Sequence, residues 1–300
     1  MTLQESVLST ASNGQLPVLP VVITALMSLD LDAEGSFAEV LALANVDPCL
    51  AIKILQSAGA AGAVRGGDTL PKAMVRLGVS AMHRLVSERS SATVFVPVTD
   101  AEKCLWLHFI QVALCAQFLV KNCKALKVDA DKAYLAGLIH DIGRLVDYEQ
   151  IAQAPNEIES SDYHDPEALL HAETHAFGHS HVGIGVIASK RWKLPDYLIA
   201  AVEHHHDNLR ELRGPDLETR TLVELVQCAD ELSVFVLRRD SSDLAAVKAL
   251  CQRFLDSKSA VLAQCGVDVA LLQKALAYMQ DEAETAFLRL KLGKAPVCHS

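Results

Sequence analysis

The chain has 300 residues, more than the roughly 100 to 200 of one ordinary domain, so two packed units or one large helical body are expected. Hydrophobic residues make up 51% and aromatic residues only 5%, with Ala and Leu prominent, a composition that fills helix–helix interfaces more readily than β-sandwich cores. The formal net charge of −10 excludes a general nucleic-acid binder, which needs a basic face against the phosphate backbone.

In chain order, residues 1–14 are polar, end in Ser12-Asn13-Gly14, and read as a frayed tail. They lack the basic start and apolar core of a signal peptide. No apolar stretch is expected to reach the roughly 18 residues of a membrane span, so a cytoplasmic protein without membrane contact is expected. From Leu16 to Val98 short amphipathic helices alternate with punctuation: Leu16-Pro17-Val18-Leu19-Pro20 before a helix, a turn from Asp30 to Gly35, and a loop at Gly66-Gly67-Asp68. Asp47-Pro48 matches an N-cap followed by proline at the first helical position. Leu70 to Ser87 reads as one more helix containing Gly78.

Residues 101–127 place Leu105, Phe109, Val112, Ala116, Leu119 and Val120 at the i, i+3, i+4, i+7 spacing of a helix buried on one side, and residues 131–148 repeat the pattern through Tyr134, Leu135, Leu138, Ile142 and Leu145. A polar loop is expected at 152–168. Two helices then flank Trp192-Lys193-Leu194-Pro195, a third runs from about Glu218 to Arg239, and two or three more follow Asp243, the last from about Val269 to Leu290. No alternating strand run stands out. The eight cysteines are scattered without a C-x-x-C pair, and several sit inside apolar helical patterns, so buried thiols are expected rather than disulfides or a cysteine zinc site.

The histidines carry the chemistry. Nine of twelve lie between positions 140 and 206, several inside apolar helical stretches. In Gly137-Leu138-Ile139-His140-Asp141-Ile142-Gly143-Arg144 an imidazole and a carboxylate are adjacent. Burying that carboxylate is costly unless something pairs with it, and a divalent cation does so efficiently; a backbone amide or an arginine would serve as well. Neighbouring positions on a helix point about 100° apart, so both side chains reach one ion only at a helix end or a distortion, which Gly143 would allow.

His140-Asp141 resembles the paired motif of the HD superfamily, a histidine, then His-Asp, then a distant aspartate, on separate helices of one bundle. His108 in the preceding helix and Asp230, in Val226-Gln227-Cys228-Ala229-Asp230, match the outer members. Over roughly residues 15–210 the chain resembles the HDOD family of that superfamily. The matching features are Leu16 to Pro20, Asp47-Pro48, Leu77-Gly78, Gly137 to Gly143, Gly178-His179-Ser180-His181-Val182-Gly183, Trp192 to Pro195 and His204-His205-His206. His181, His205 and His206 match positions that complete further metal sites in the related HD-GYP phosphodiesterases, with His204 an ambiguous neighbour. The resemblance therefore implies the ligand set His108, His140, Asp141, His181, His205, His206 and Asp230, holding one or two divalent ions of iron, manganese, nickel or zinc. Asp141 and Arg144 would be the catalytic residues, Arg144 gripping phosphate where HD-GYP enzymes carry lysine; a surface salt bridge is the alternative for Arg144.

Two positions depart from the pattern. Asp207-Asn208-Leu209-Arg210 stands where HD-GYP enzymes have Gly-Tyr-Pro, which argues against cyclic di-GMP hydrolysis, and Gln56-Ser57 replaces the usual HDOD asparagine-serine pair. Two further motifs are set aside. His171-Ala172-Glu173-Thr174-His175 misses the H-E-x-x-H spacing by one place and reads as solvated helix, and Leu292-Gly293-Lys294 lacks the rest of a phosphate loop. The resemblance implies an all-α HDOD/HD-type bundle with a flexible tail at 1–14, an N-terminal helical subdomain at 15–100, an HD-like core at 101–239 and accessory helices at 240–300. It implies a bacterial signalling or regulatory protein with a protein partner or a nucleotide ligand; the alternative is a metal-dependent phosphohydrolase acting on a nucleotide or other phosphoester.

Overall fold

The structure is a computed structural model that describes residues 16, 18–30, 32–60, 68–79, 81–82, 85, 96–146, 166–208, 215–238, 243–257, 261–290 and 292. The expected tail at 1–14, the Gly66-Gly67 turn, the polar loop as far as 165 and Gly293-Lys294 lie outside them. The first helices are α1 (Pro20–Ser28), α2 (Ser36–Ala44), α3 (Pro48–Ala60), α4 (Leu70–Leu77), α5 (Asp100–Asn122), α6 (Ala130–Ile139) and α7 (Gly143–Val146). There follow α8 (Pro166–Phe177), α9 (His181–Arg191), α10 (Asp196–His204), α11 (Leu217–Arg238), α12 (Leu244–Ser257), α13 (Val261–Gln264) and α14 (Val269–Arg289). No β-strand occurs among the described residues, so the all-α reading holds. Contacts group the chain into two compact units, one of residues 1–96 with 141–203 and one of residues 97–140 with 204–299.

In the first unit, α2 packs on α3, α3 on α4, and α9 on both α7 and α8. Asp47 caps α3 as its Asp-Pro sequence predicts: Oδ1 accepts from the Leu50 N–H at 2.9 Å, and Oδ2 accepts from the Leu19 N–H at 3.1 Å, tying the chain before α1 to the start of α3. Burial pushes the Asp47 carboxyl up from its ordinary 3.8 to about 6, against the pull of the Leu50 and Leu19 N–H groups. The folded chain therefore binds this proton more tightly than the unfolded chain. The stability Asp47 contributes is complete below pH 3.8 and is lost as pH rises through about 6. The cost of Asp47→Ala, measured by urea unfolding, is expected to be roughly 1 kcal/mol larger at pH 5 than at pH 7; a larger cost at pH 7 would contradict the assignment.

The expected helix from Leu70 to Ser87 is interrupted at Gly78: residues 79, 81, 82 and 85 are again helical, and 80, 83–84 and 86–87 lie outside the described residues. α4 stops at Leu77 because Gly78 takes a left-handed φ of 76° while its N–H closes the last turn on Met74, a backbone state glycine adopts without penalty. The expected loop extending to 168 is shorter, since α8 begins at Pro166. The break at Trp192–Pro195 is as predicted. Lys193 has φ 55°, the Trp192 and Leu194 N–H groups close the end of α9 on Ala188 and Ser189, and Pro195 precedes α10.

In the second unit, α5 lies against α6, α11 and α14, and α11 also meets α6. Thr99 and Glu102 form a capping box at the start of α5, as the T-x-x-E spacing dictates. By length and composition α5 is apolar enough to cross a membrane, the one such helix among the described residues, which corrects the expectation that no stretch qualifies. Its charged residues cluster at its ends, Asp100, Glu102, Lys103 and Lys121, leaving an apolar middle. That window is 67% buried inside the protein, where α6, α11 and α14 cover it. Cys49, Cys115, Cys123, Cys228, Cys251 and Cys265 carry thiols, whereas Cys104 is disulfide-bonded, contrary to the expectation of thiols throughout.

Candidate metal centre

Three of the expected ligands meet inside the second unit: His108 from α5, His140 as the C-cap of α6, and Asp230 from α11, all buried. Close packing of α6 on α5 sets their spacing. A Cβ on Gly137 would come within 2.8 Å of the Ala113 Cα and the Val112 carbonyl oxygen, so only glycine lets the helices approach this near. One turn later α6 ends, and His140 turns its ring so that Nδ1 donates to the Gly137 carbonyl at 2.8 Å. A carbonyl only accepts, so His140 carries its proton on Nδ1 and presents the Nε2 lone pair.

That lone pair lies 3.3 Å from Nε2 of His108, while Asp230 Oδ1 is 3.3 Å from His108 Nε2 and 4.0 Å from His140 Nε2. One ligand atom from each residue lies within 4.8 Å of the others. A lone pair, a second imidazole nitrogen and a carboxylate oxygen converge on side chains no more than 12% exposed, and electron-rich atoms so placed favour a cation among them. Two imidazole nitrogens and a carboxylate oxygen suit a first-row transition metal, so the residues fit the metal that the sequence resemblance implies.

His205 and His206 border the same cluster. The buried His205 ring stands edge-on to His140 with centroids 5.0 Å apart. His206 lies 4.1 Å from His205, with its Nδ1 4.0 Å from Asp230 Oδ2. His204 points elsewhere: its Nδ1 meets Asp207 Oδ2 at 2.7 Å, and Gln227 Nε2 donates to its carbonyl at 2.8 Å. The ambiguous member of the run thus serves as a helix-end contact.

The remaining expected residues, Asp141, Arg144 and His181, meet one another inside the first unit. Asp141 lies in the turn between α6 and α7, and His181 is the first residue of α9. Its Nε2 is 3.2 Å from Asp141 Oδ1, and its Nδ1 and backbone N–H both donate to Glu173 Oε2, at 2.6 and 2.9 Å. Arg144 Nε donates to Asp141 Oδ2 at 2.5 Å, and its NH1 group is 3.6 Å from Glu173 Oε1, so Arg144 is held between two buried carboxylates rather than in a surface pair.

Glu173 is the residue that sequence reasoning missed. The expectation of solvated helix holds for the exposed His171 and His175 but not for Glu173, which is 2% exposed. Burial pushes its carboxyl up, but the His181 hydrogen bond and the charges of Arg144 and His181 outweigh burial and hold it below the usual range. The signal was present in the sequence: Leu169, Glu173 and Phe177 are spaced i, i+4, i+8, and they form the buried stripe of α8. A carboxylate on the Nδ1 side of an imidazole is a common way to orient a metal-binding histidine.

A helical body that gathers a histidine, the histidine of a His-Asp pair and a distant aspartate from three helices defines an HD-type protein. The HDOD domain profile matches residues 16–208, most of the chain, and the chain belongs to the HDOD domain family. Ribonuclease Y of Thermus thermophilus is 30% identical over 174 residues, covering 56% of this chain and 24% of that protein. An uncharacterized protein of Treponema pallidum is 23% identical over 197 residues, covering 64% and 38%. The chain therefore spans less than two fifths of the length of these curated relatives. Among solved structures, a Campylobacter jejuni virulence factor aligns with TM-score 0.66 at 18% identity, covering 94% of this chain and 96% of that one. The MmoQ response regulator of Methylococcus capsulatus aligns with TM-score 0.63 at 19% identity, covering 85% and 98%. At such identities the likeness extends to the fold.

Proposed function

We propose that this chain is an HDOD-type bacterial signalling protein of the cytoplasm in which His108, His140 and Asp230 hold a divalent iron, manganese, nickel or zinc ion. The observation that carries the reading is the His140 Nε2 lone pair, fixed by the Gly137 carbonyl, aimed at His108 Nε2 and Asp230 Oδ1. His205 and His206 stand beside this set as further imidazole donors, and a second ion at Asp141 and His181, inside the first unit, completes the proposal. The readout of such a regulator is capture of a signalling protein or a nucleotide.

A second reading, metal-dependent phosphodiester hydrolysis, is favoured by the Asp141–His181 pair with Arg144 alongside. Asp141 and His181 would hold a divalent ion there, and it would supply a water of lowered pKa and a Lewis acid for a phosphoryl oxygen. Glu173 would hold His181 in one orientation, and Arg144 would have to exchange a carboxylate for phosphate. The relative named Ribonuclease Y supports hydrolysis as a reading, whereas the net charge of −10 speaks against general binding of RNA.

The two readings separate in one assay. Bis(p-nitrophenyl) phosphate is incubated with protein loaded with manganese, iron, nickel or zinc, alongside Asp141→Ala. Turnover that falls at least 100-fold in the variant, with its metal at His108, His140 and Asp230 retained, establishes the hydrolase. No turnover by metal-loaded wild type leaves the ion in a regulatory, structural role.

A further inference from the structure

His108 faces the cluster through Nε2, and its other nitrogen, Nδ1, lies 2.9 Å from the Ser233 hydroxyl oxygen. Ser233 has one proton to give, and it donates to Gln111 Oε1 at 2.7 Å. A hydroxyl that has spent its proton can only accept at its remaining lone pairs, so the hydrogen bond from His108 must run from Nδ1–H to Ser233. Gln111 sits three residues after His108 on α5, and Ser233 three residues after Asp230 on α11, so each partner stands one turn beyond a ligand on the ligand's own helix. Ser233 is 0% exposed and Gln111 3%, and water cannot replace either contact.

We infer that Gln111 and Ser233 are positioning residues that fix the His108 proton on Nδ1 and so present its Nε2 lone pair to the ion. The inference rests on the metal reading for its consequence, but not for its test. Gln111 acts at one remove: with its carbonyl gone, the Ser233 hydroxyl is free to rotate and donate to His108 Nδ1. The ring proton then moves to Nε2, where it points at His140 and Asp230 and blocks the ion. Gln111→Leu keeps the side-chain bulk and should switch the tautomer; Gln111→Glu keeps an acceptor and should not.

The experiment reads the ring nitrogens by long-range ¹H–¹⁵N NMR in metal-free protein, and zinc affinity by competition with a chromophoric chelator. Wild type and Gln111→Glu are expected to show the His108 proton on Nδ1. Gln111→Leu is expected to show it on Nε2 and to bind zinc 10- to 100-fold more weakly. Ser233→Ala, which removes the acceptor itself, should weaken zinc binding to a similar degree. A proton on Nε2 in the wild type, or an unchanged tautomer and zinc affinity in Gln111→Leu, overturns the inference. Wild type that binds no zinc while the NMR result holds overturns the metal reading alone, so the two failures are distinguishable.

Discussion

Gly143→Ala is expected to lower the stability of the chain by about 3 kcal/mol or more, because a Cβ there has nowhere to go. It would overlap the carbonyl carbon and oxygen of His181 and meet the Gly185 N–H group at 3.0 Å. These neighbours are backbone, so relief requires α7 and α9 to separate, and that separation also pulls Asp141 from His181. Gly183→Ala in α9, the helix that faces Gly143, is the control: its Cβ would find only the Ser180 hydroxyl at 3.5 Å, an ordinary contact. Alanine there should be neutral or stabilising by up to about 1 kcal/mol, the usual helix preference over glycine. Urea unfolding of both variants checks the pair, and Gly143→Ala as stable as wild type would remove the close approach from the account.

The second large effect is thermal. An ion that binds only the folded chain stabilises it by mass action, by roughly 4 kcal/mol when its free concentration is a thousand times its dissociation constant. For a body of this size that amounts to a rise in Tm on the order of 10 °C. Metal-free protein given excess zinc or manganese is expected to show a rise of this kind, reversed by chelator. Asp230→Ala removes a carboxylate that faces both His108 and His140 and should abolish most of the rise. No shift in wild type, or an equal shift in the variant, would mean the cluster holds no ion.

Much of the fold was legible because helical periodicity survives wherever one face is buried. α11 and α14 match their expected bounds to within a residue or two, and the Asp47-Pro48 cap and the Trp192–Pro195 break are local chemistry that needs no tertiary information. α4 shows the limit. Periodicity runs on past Gly78, but the left-handed backbone at that residue interrupts the helix, and apolar spacing does not register a change of φ. Gly143 is a subtler case. Sequence reasoning assigned it to distortion of a helix, and the helix does end nearby, at Ile139. The need for glycine, however, comes from the His181 carbonyl, thirty-eight positions away in the chain and invisible to local reading.

The candidate site was legible to the extent that its residue types are rare in apolar surroundings. His108, His140 and Asp230 stand out as polar side chains inside apolar helices, and the structure brings them together in one unit. Their supporting partners did not stand out. Ser233 and Gln111 are ordinary residues in helices, and the Gly137 carbonyl that orients His140 carries no sequence signal. Glu173 was obscured by the flanking His171 and His175, which drew attention to a zinc-protease spacing the chain does not have. The identity of a ligand can be read from composition and spacing, whereas its orientation depends on neighbours that only folding supplies.

The most direct test of the central claim is metal content by mass spectrometry on protein purified without a histidine tag, alongside His140→Ala. About one to two equivalents of iron, manganese, nickel or zinc per chain are expected, falling by about one equivalent in the variant with its helical circular dichroism retained. Wild type with no metal above trace, or a variant that keeps its full complement, would contradict that claim.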